Sequence, residues 1–209
     1  MHERRLIESG ASLDKASRAL IMLHGRGATA QSILSLADYF TLDEFYIAAP
    51  QATNNAWYPK SFLSPIDQNE PWLTSAIELI HKLIQDIVSS GISSDNIYLM
   101  GFSQGACLAL EVATRYAQRW GGVIAFTGGL IGDKIRKEKY SGDFKGTKVF
   151  IGNSDIDPHV PLSRSEQSAV IMKDMSADVV HRVYPGMAHT INEDEIKVVS
   201  ELFFTGLLK

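Results

Sequence analysis

The apolar positions of the chain fall into short continuous runs, separated by stretches whose apolar residues recur every three or four positions. The runs at residues 19–23, 45–49, 96–100, 122–126, 147–151 and 179–184 are aliphatic or aromatic and bounded by Gly, Pro, Asn or Asp, as strands buried on both faces are. Between them the spacing predicts helices. One covers residues 30–40, with Thr29 as N-cap and Ile33, Leu34, Ala37 and Phe40 on one face. Pro71 opens a second, to about Ser89, with Leu73, Ile77, Ile80, Leu83, Ile84 and Ile87 in a stripe and Gly91 just past its end. A third begins near Ala106 and meets no Gly or Pro before Gly121; two more cover about 163–176 and 192–204. Strand and helix alternate, which argues for an α/β fold: a mostly parallel sheet, covered on both faces, with right-handed crossovers.

Three segments stand outside this alternation. Residues 2–17 are polar and mixed, a short edge strand or hairpin. Residues 130–146 are charged and Gly-spaced, an exposed connection. Residues 50–70 follow neither period, hold Pro50, Pro59 and Pro65, and cluster Trp57, Tyr58 and Phe62. A loop this long in a compact domain is usually functional, so it reads as a substrate loop or lid, with Trp57 and Phe62 touching substrate.

Composition narrows the class. The 209 residues suit one domain over 1–209, and no repeat, linker or low-complexity stretch divides them. The net charge of −4 removes the electrostatic case for nucleic acid. The longest apolar runs are too short to span a bilayer, and the charged N-terminus lacks the apolar core of a secretory signal. Cys107 is the single cysteine, so no intrachain disulfide forms and a cytoplasmic setting is expected.

The chemistry gathers where strands end. Gly101-Phe102-Ser103-Gln104-Gly105 follows one strand and opens a helix, which is the strand–turn–helix context of a G-x-S-x-G nucleophile elbow. The glycines two residues either side of Ser103 allow strand and helix to pass too close for a Cβ. A serine hydroxyl needs a base within hydrogen-bond reach and a third group to hold that base in one tautomer. Of six histidines, His189 follows the last core strand on a Gly-containing turn. Asp155 and Asp157 both follow the strand ending at Ile151; Pro158 and Pro161 stiffen the turn around Asp157, which makes it the preferred acid. An oxyanion also needs donors. The backbone N–H of Gln104 lies at a helix start, and the Gly-flanked N–H of Arg26 in His24-Gly25-Arg26-Gly27 supplies a second; the Arg26 side chain either meets an acidic group of a substrate or, the favoured reading, points to solvent.

Two other classes were weighed. Gly25–Ala30 also matches G-x-G-x-x-A after a strand, a dinucleotide-binding pattern. The second strand, however, ends in Ala48-Ala49-Pro50-Gln51 without the acid that would hold a ribose. A catalytically inactive hydrolase fold used for binding has no need of nucleophile, base and acid together. No paired Cys/His spacing suggests a metal site. Cys107 reads as a small core residue of the elbow helix.

Four pieces, Leu-His-Gly-x-Gly at 23–27, Gly-Phe-Ser-Gln-Gly at 101–105, Asp-Pro-x-Val-Pro at 157–161 and Gly-x-x-His at 186–189, together resemble the phospholipase/carboxylesterase family of α/β-hydrolases. The resemblance runs from about residue 18 to the end. It implies an α/β-hydrolase fold and a serine esterase or thioesterase with Ser103 as nucleophile, His189 as base and Asp157 as orienter. The N–H groups of Arg26 and Gln104 are then the oxyanion hole. No cofactor is implied, and the partner is a small-molecule or lipid-like ester or thioester, cleaved by a monomer or homodimer. Three positions depart from the common family pattern: Arg26 stands where Leu or Phe is frequent, Gly152-Asn153-Ser154-Asp155 where His-Gly-Asp is frequent, and residues 55–59 differ from the thioesterase branch.

Overall fold

In the computed structural model, which describes residues 1–204, seven strands form one sheet in the order β1-β3-β2-β4-β5-β6-β7. β1 (Leu6–Gly10) is the edge strand expected near the N-terminus and pairs antiparallel with β3 (Phe45–Pro50). β2 (Arg18–Leu23), β4 (Ile97–Phe102), β5 (Gly122–Phe126), β6 (Lys148–Ser154) and β7 (Asp178–Tyr184) all run parallel to β3.

Alternate residues of each central strand enter different cores, as a pleat requires. Ala19, Ile21 and Leu23 pack with α2 (Trp72–Ser89), α3 (Gln104–Arg115) and α4 (Leu162–Asp174) on one face. Leu20 and Met22 pack with α1 (Ala30–Leu34) and with Val199, Phe203 and Phe204 on the other. The predicted stripe of α2 is its buried side: Leu73, Ile77, Ile80, Leu83, Ile84 and Ile87. Burial of each such side chain contributes about 1.5–3 kcal/mol.

Three elements differ from expectation. The helix predicted over 30–40 stops at Leu34 and tightens into a 3-10 turn at Ser35–Tyr39. Ser32 and Ser35 hydroxyls bond the carbonyls three residues back, which competes with the α-helical ladder. The last helix is α5 (Glu193–Val199), followed by a π-helical turn at Ser200–Phe204. The 130–146 connection is only partly exposed, since Leu130, Ile131 and Phe144 are buried. The buried Arg164 donates to the carbonyls of Leu130, Gly132 and Asp133. Glu111, also buried, accepts from the Ile131 N–H and the Tyr140 hydroxyl.

Register sets the site. Leu23 pairs with Gly101 and Phe102 with Phe126. The segments after β2, β4, β5 and β6 therefore leave the sheet at the same carboxyl-end edge, where open α/β sheets place their ligands. Among the described residues no helix is long and apolar enough to cross a membrane.

Candidate active site

The turn between β4 and α3 is as tight as its glycines suggest. A Cβ on Gly101 would lie 2.4 Å from the backbone of Gly105, and one on Gly105 would lie 2.1 Å from the Leu23 carbonyl oxygen. Ser103 takes φ 55° and ψ −119°, a region that costs a non-glycine residue on the order of 1–3 kcal/mol. Its N–H bonds the Phe126 carbonyl and its carbonyl accepts from Cys107, which holds the strained residue at both ends.

Ser103, His189 and Asp157 meet. His189 Nε2 lies 2.8 Å from Ser103 Oγ, and His189 Nδ1 lies 2.6 Å from Asp157 Oδ2. The other carboxylate oxygen of Asp157 accepts the N–H groups of His159 and Val160, each at 2.8 Å. Burial alone would push the Asp157 carboxyl up. The hydrogen bonds from His189, Val160 and His159 outweigh it and hold the group below the ordinary carboxylate range. Asp155 does what a loop aspartate does: its Oδ1 accepts the N–H of Gly186 and ties the two turns together.

Opposite this chain stand the N–H groups of Arg26 and Gln104. Neither has an acceptor within the protein among the described residues. Both side chains are committed to one segment of the 50–70 loop. Gln104 Oε1 accepts the Trp57 N–H at 2.8 Å, and its Nε2 donates to the Tyr58 carbonyl at 2.9 Å. Arg26 is exposed, as expected, but its guanidinium does not hang free in solvent. It donates to the carbonyls of Tyr58, Pro59 and Lys60. Three consecutive carbonyls aimed at one point are a polar cradle that a planar fork of donors can satisfy.

His24, beneath the same loop, is fully buried. Its Nε2 accepts the Ala52 N–H at 3.1 Å, so its Nδ1 carries the proton and donates to the Gly25 carbonyl at 2.8 Å. Desolvation lowers its pKa and keeps the ring neutral. His2, lodged between Trp57 and Trp72, is also lowered by burial; its Nδ1 accepts from Thr53 and its Nε2 bonds the Trp57 carbonyl.

The groups surround a cavity of about 590 Å³ lined by Ser103, His189, Gly25, Arg26 and Gln104, with Tyr58, Lys60, Phe62, Cys107, His159 and Val160 among the remaining walls. Phe62, expected to touch substrate, lines it. Trp57 does not: it is fully buried behind the wall, its Nε1–H bonded to the His24 carbonyl at 2.8 Å. A large ring with one polar atom is best buried where that atom finds an acceptor. Sequence reasoning missed His159 and Val160 as walls, although both flank the acid. Cys107 forms another part of the wall, with burial pushing its thiol up to about 12, far from a reactive thiolate.

A protein of the same fold, the phospholipase/carboxylesterase from Dyadobacter fermentans, superimposes with a TM-score of 0.95 at 51% identity over 97% of each chain. The carboxylesterase of Bacillus cereus shares the fold alone, with a TM-score of 0.78 at 17% identity over 98% of this chain and 95% of its own. Acyl-protein thioesterase 1 of Saccharomyces cerevisiae is 29% identical over 90% of this chain and 92% of its own. The model of one family, described as phospholipase/carboxylesterase, matches residues 3–205. The chain belongs to the phospholipase/carboxylesterase family.

Proposed function

We propose that the chain is a serine hydrolase that cleaves carboxylic esters or thioesters through a Ser103–His189–Asp157 triad and an acyl-enzyme intermediate. The observation that carries the reading is the unbroken hydrogen-bonded chain from Ser103 Oγ through His189 to Asp157, at the wall of a cavity large enough for a small substrate.

In the first step Ser103 Oγ attacks the scissile carbonyl while His189 Nε2 takes its proton. The N–H groups of Arg26 and Gln104 receive the developing oxyanion; one such donor is typically worth about 3–4 kcal/mol of transition-state stabilisation. Asp157 keeps the proton on Nδ1 and stabilises the imidazolium. His189 then protonates the departing alkoxide or thiolate as the C–O or C–S bond breaks. Water, deprotonated by the same nitrogen, attacks the acyl-serine and regenerates the enzyme. The chemistry asks for no cofactor. Phe62, Cys107 and Val160 offer an apolar wall for the acyl chain of a small-molecule or lipid-like substrate. The single buried cysteine fits a cytoplasmic setting.

The test is labelling with a fluorophosphonate probe beside turnover of p-nitrophenyl esters from acetate to palmitate. Wild type labels and turns over, while Ser103→Ala and His189→Ala do neither. A wild-type protein that neither labels nor turns over any ester overturns the proposal.

A further inference from the structure

The cavity is unevenly charged. Its wall carries two cations, Arg26 and Lys60, and no Asp or Glu among the described residues. Asp157 has its side chain fully buried behind His189, with both oxygens occupied, and Glu111, whose charge reaches the wall residues Tyr58 and Cys107 from within the core, is paired with Arg115. Neither Arg26 nor Lys60 has a carboxylate within ion-pair distance among the described residues. This is a concentration of unbalanced positive charge on a protein whose net charge is −4.

The charge is also fixed in place. The Arg26 guanidinium is held by the carbonyls of Tyr58, Pro59 and Lys60, which are neutral dipoles and leave its charge uncancelled, while its Nε–H has no protein acceptor among the described residues. The same residue carries one of the two proposed oxyanion donors and lines the same cavity as Ser103. Lys60 is exposed at the same wall, with its backbone N–H anchored on Asn69 Oδ1 at 2.8 Å. A low-dielectric cleft lined by one sign of charge concentrates ligands of the other.

We infer that the site selects esters or thioesters that carry an anionic group within reach of Arg26 and Lys60. This rests on the hydrolase reading above and names its substrate class: the anion sits either on the acyl chain or on the leaving group. A neutral aliphatic ester fills the apolar wall and leaves both cations without a partner.

Two matched pairs of esters separate the sources. On the acyl side, mono-p-nitrophenyl adipate is compared with p-nitrophenyl hexanoate. On the leaving-group side, the butyrate ester of p-hydroxybenzoate is compared with that of its methyl ester. Spontaneous hydrolysis is subtracted throughout. The expected result is a kcat/KM ratio of about tenfold or more for the anionic member of at least one pair. That ratio shrinks as salt rises from about 10 to 300 mM. It drops severalfold in Lys60→Gln and further in Lys60→Glu, with the change carried by KM. A ratio at or below one in both pairs overturns the inference, as does a ratio that Lys60→Glu leaves unmoved. Wild-type turnover of the neutral esters separates such a failure from a failure of the hydrolase reading; absence of turnover on all four esters overturns both.

Discussion

On one side of the cavity, the two proposed oxyanion donors are braced by long-range hydrogen bonds: Arg26 to Tyr58, Pro59 and Lys60, Gln104 to Trp57 and Tyr58, His24 to Ala52, and Trp57 back to His24. On the other side, His189 sits on a turn whose Pro185, Gly186 and Ala188 are exposed. That turn is fixed by Asp157, by the Asp155 contact to Gly186 and by the capping box of α5, where Asn192 and Glu195 bond each other's backbone N–H. The contrast follows the chemistry each side is asked to do. Donors for a developing charge act only if they need not reorganise, so their frame is densely hydrogen-bonded. A base must swing its proton between nucleophile and leaving group, and two good contacts on one ring are enough to aim it.

The comparison predicts unequal sensitivity. The largest effect belongs to the base side. Asp157→Asn still bonds a ring nitrogen but favours the wrong tautomer, so kcat falls by about 10³–10⁴ while fold and KM change little. A loss under tenfold, measured on the best p-nitrophenyl ester, breaks the assignment of roles. The middle effect belongs to the donor side. Gln104→Ala and Arg26→Met keep the N–H groups but loosen the segment that sets their spacing, and each lowers kcat by about ten- to a hundredfold. Both side chains donate to the Tyr58 carbonyl, so the double variant loses less than the product of the single losses. Strict multiplicativity shows that the two donors are braced independently.

The smallest effect is one of sign, read in Tm. His2 and His24 are held neutral by burial, with pKa values below the ordinary value of about 6.5. The unfolded chain then binds more protons as pH falls below that value, so these histidines cost stability on acidification. Glu195 has the opposite sign. Burial raises its carboxyl to about 7 against a backbone hydrogen bond that lowers it, so between about 4.5 and 7 the folded state binds more protons and gains stability as pH falls. Between pH 7.5 and 5, His2→Ala therefore shows a shallower fall in Tm than wild type, and Glu195→Gln a steeper one. Equal slopes in all three proteins remove the electrostatic side of the comparison.

The sheet was legible in the sequence because its central strands are buried on both faces and read as unbroken apolar runs. Ser103, Asp157 and His189 were legible for a related reason: each follows a core strand, and parallel strands bring such positions to one edge. What the sequence hid is the bracing. Arg26 meets Tyr58 across 32 positions and Gln104 meets Trp57 across 47, and no local period carries such a contact. The long charged Arg26 side chain read as solvent-facing, and Trp57 read as a substrate contact because aromatics in a functional loop are ambiguous. Residues 130–146 read as exposed because they are charged and Gly-spaced; the groups that hold the segment down, Glu111 and Arg164, lie outside it and are of a kind rarely buried.

Gly152, in β6 a few residues ahead of Asp157, lies against the buried end of Glu195: a Cβ there would come within 1.9 Å of Glu195 Oε1. The two positions are therefore linked in their substitutions. While residue 195 is glutamate, a side chain at position 152 requires the carboxylate end to turn aside or be shortened. Loss of that carboxylate gives up the bond to the Asn192 N–H three residues past the base. Drift at an unremarkable strand glycine is thus felt at the histidine turn, through the carboxylate that both depend on.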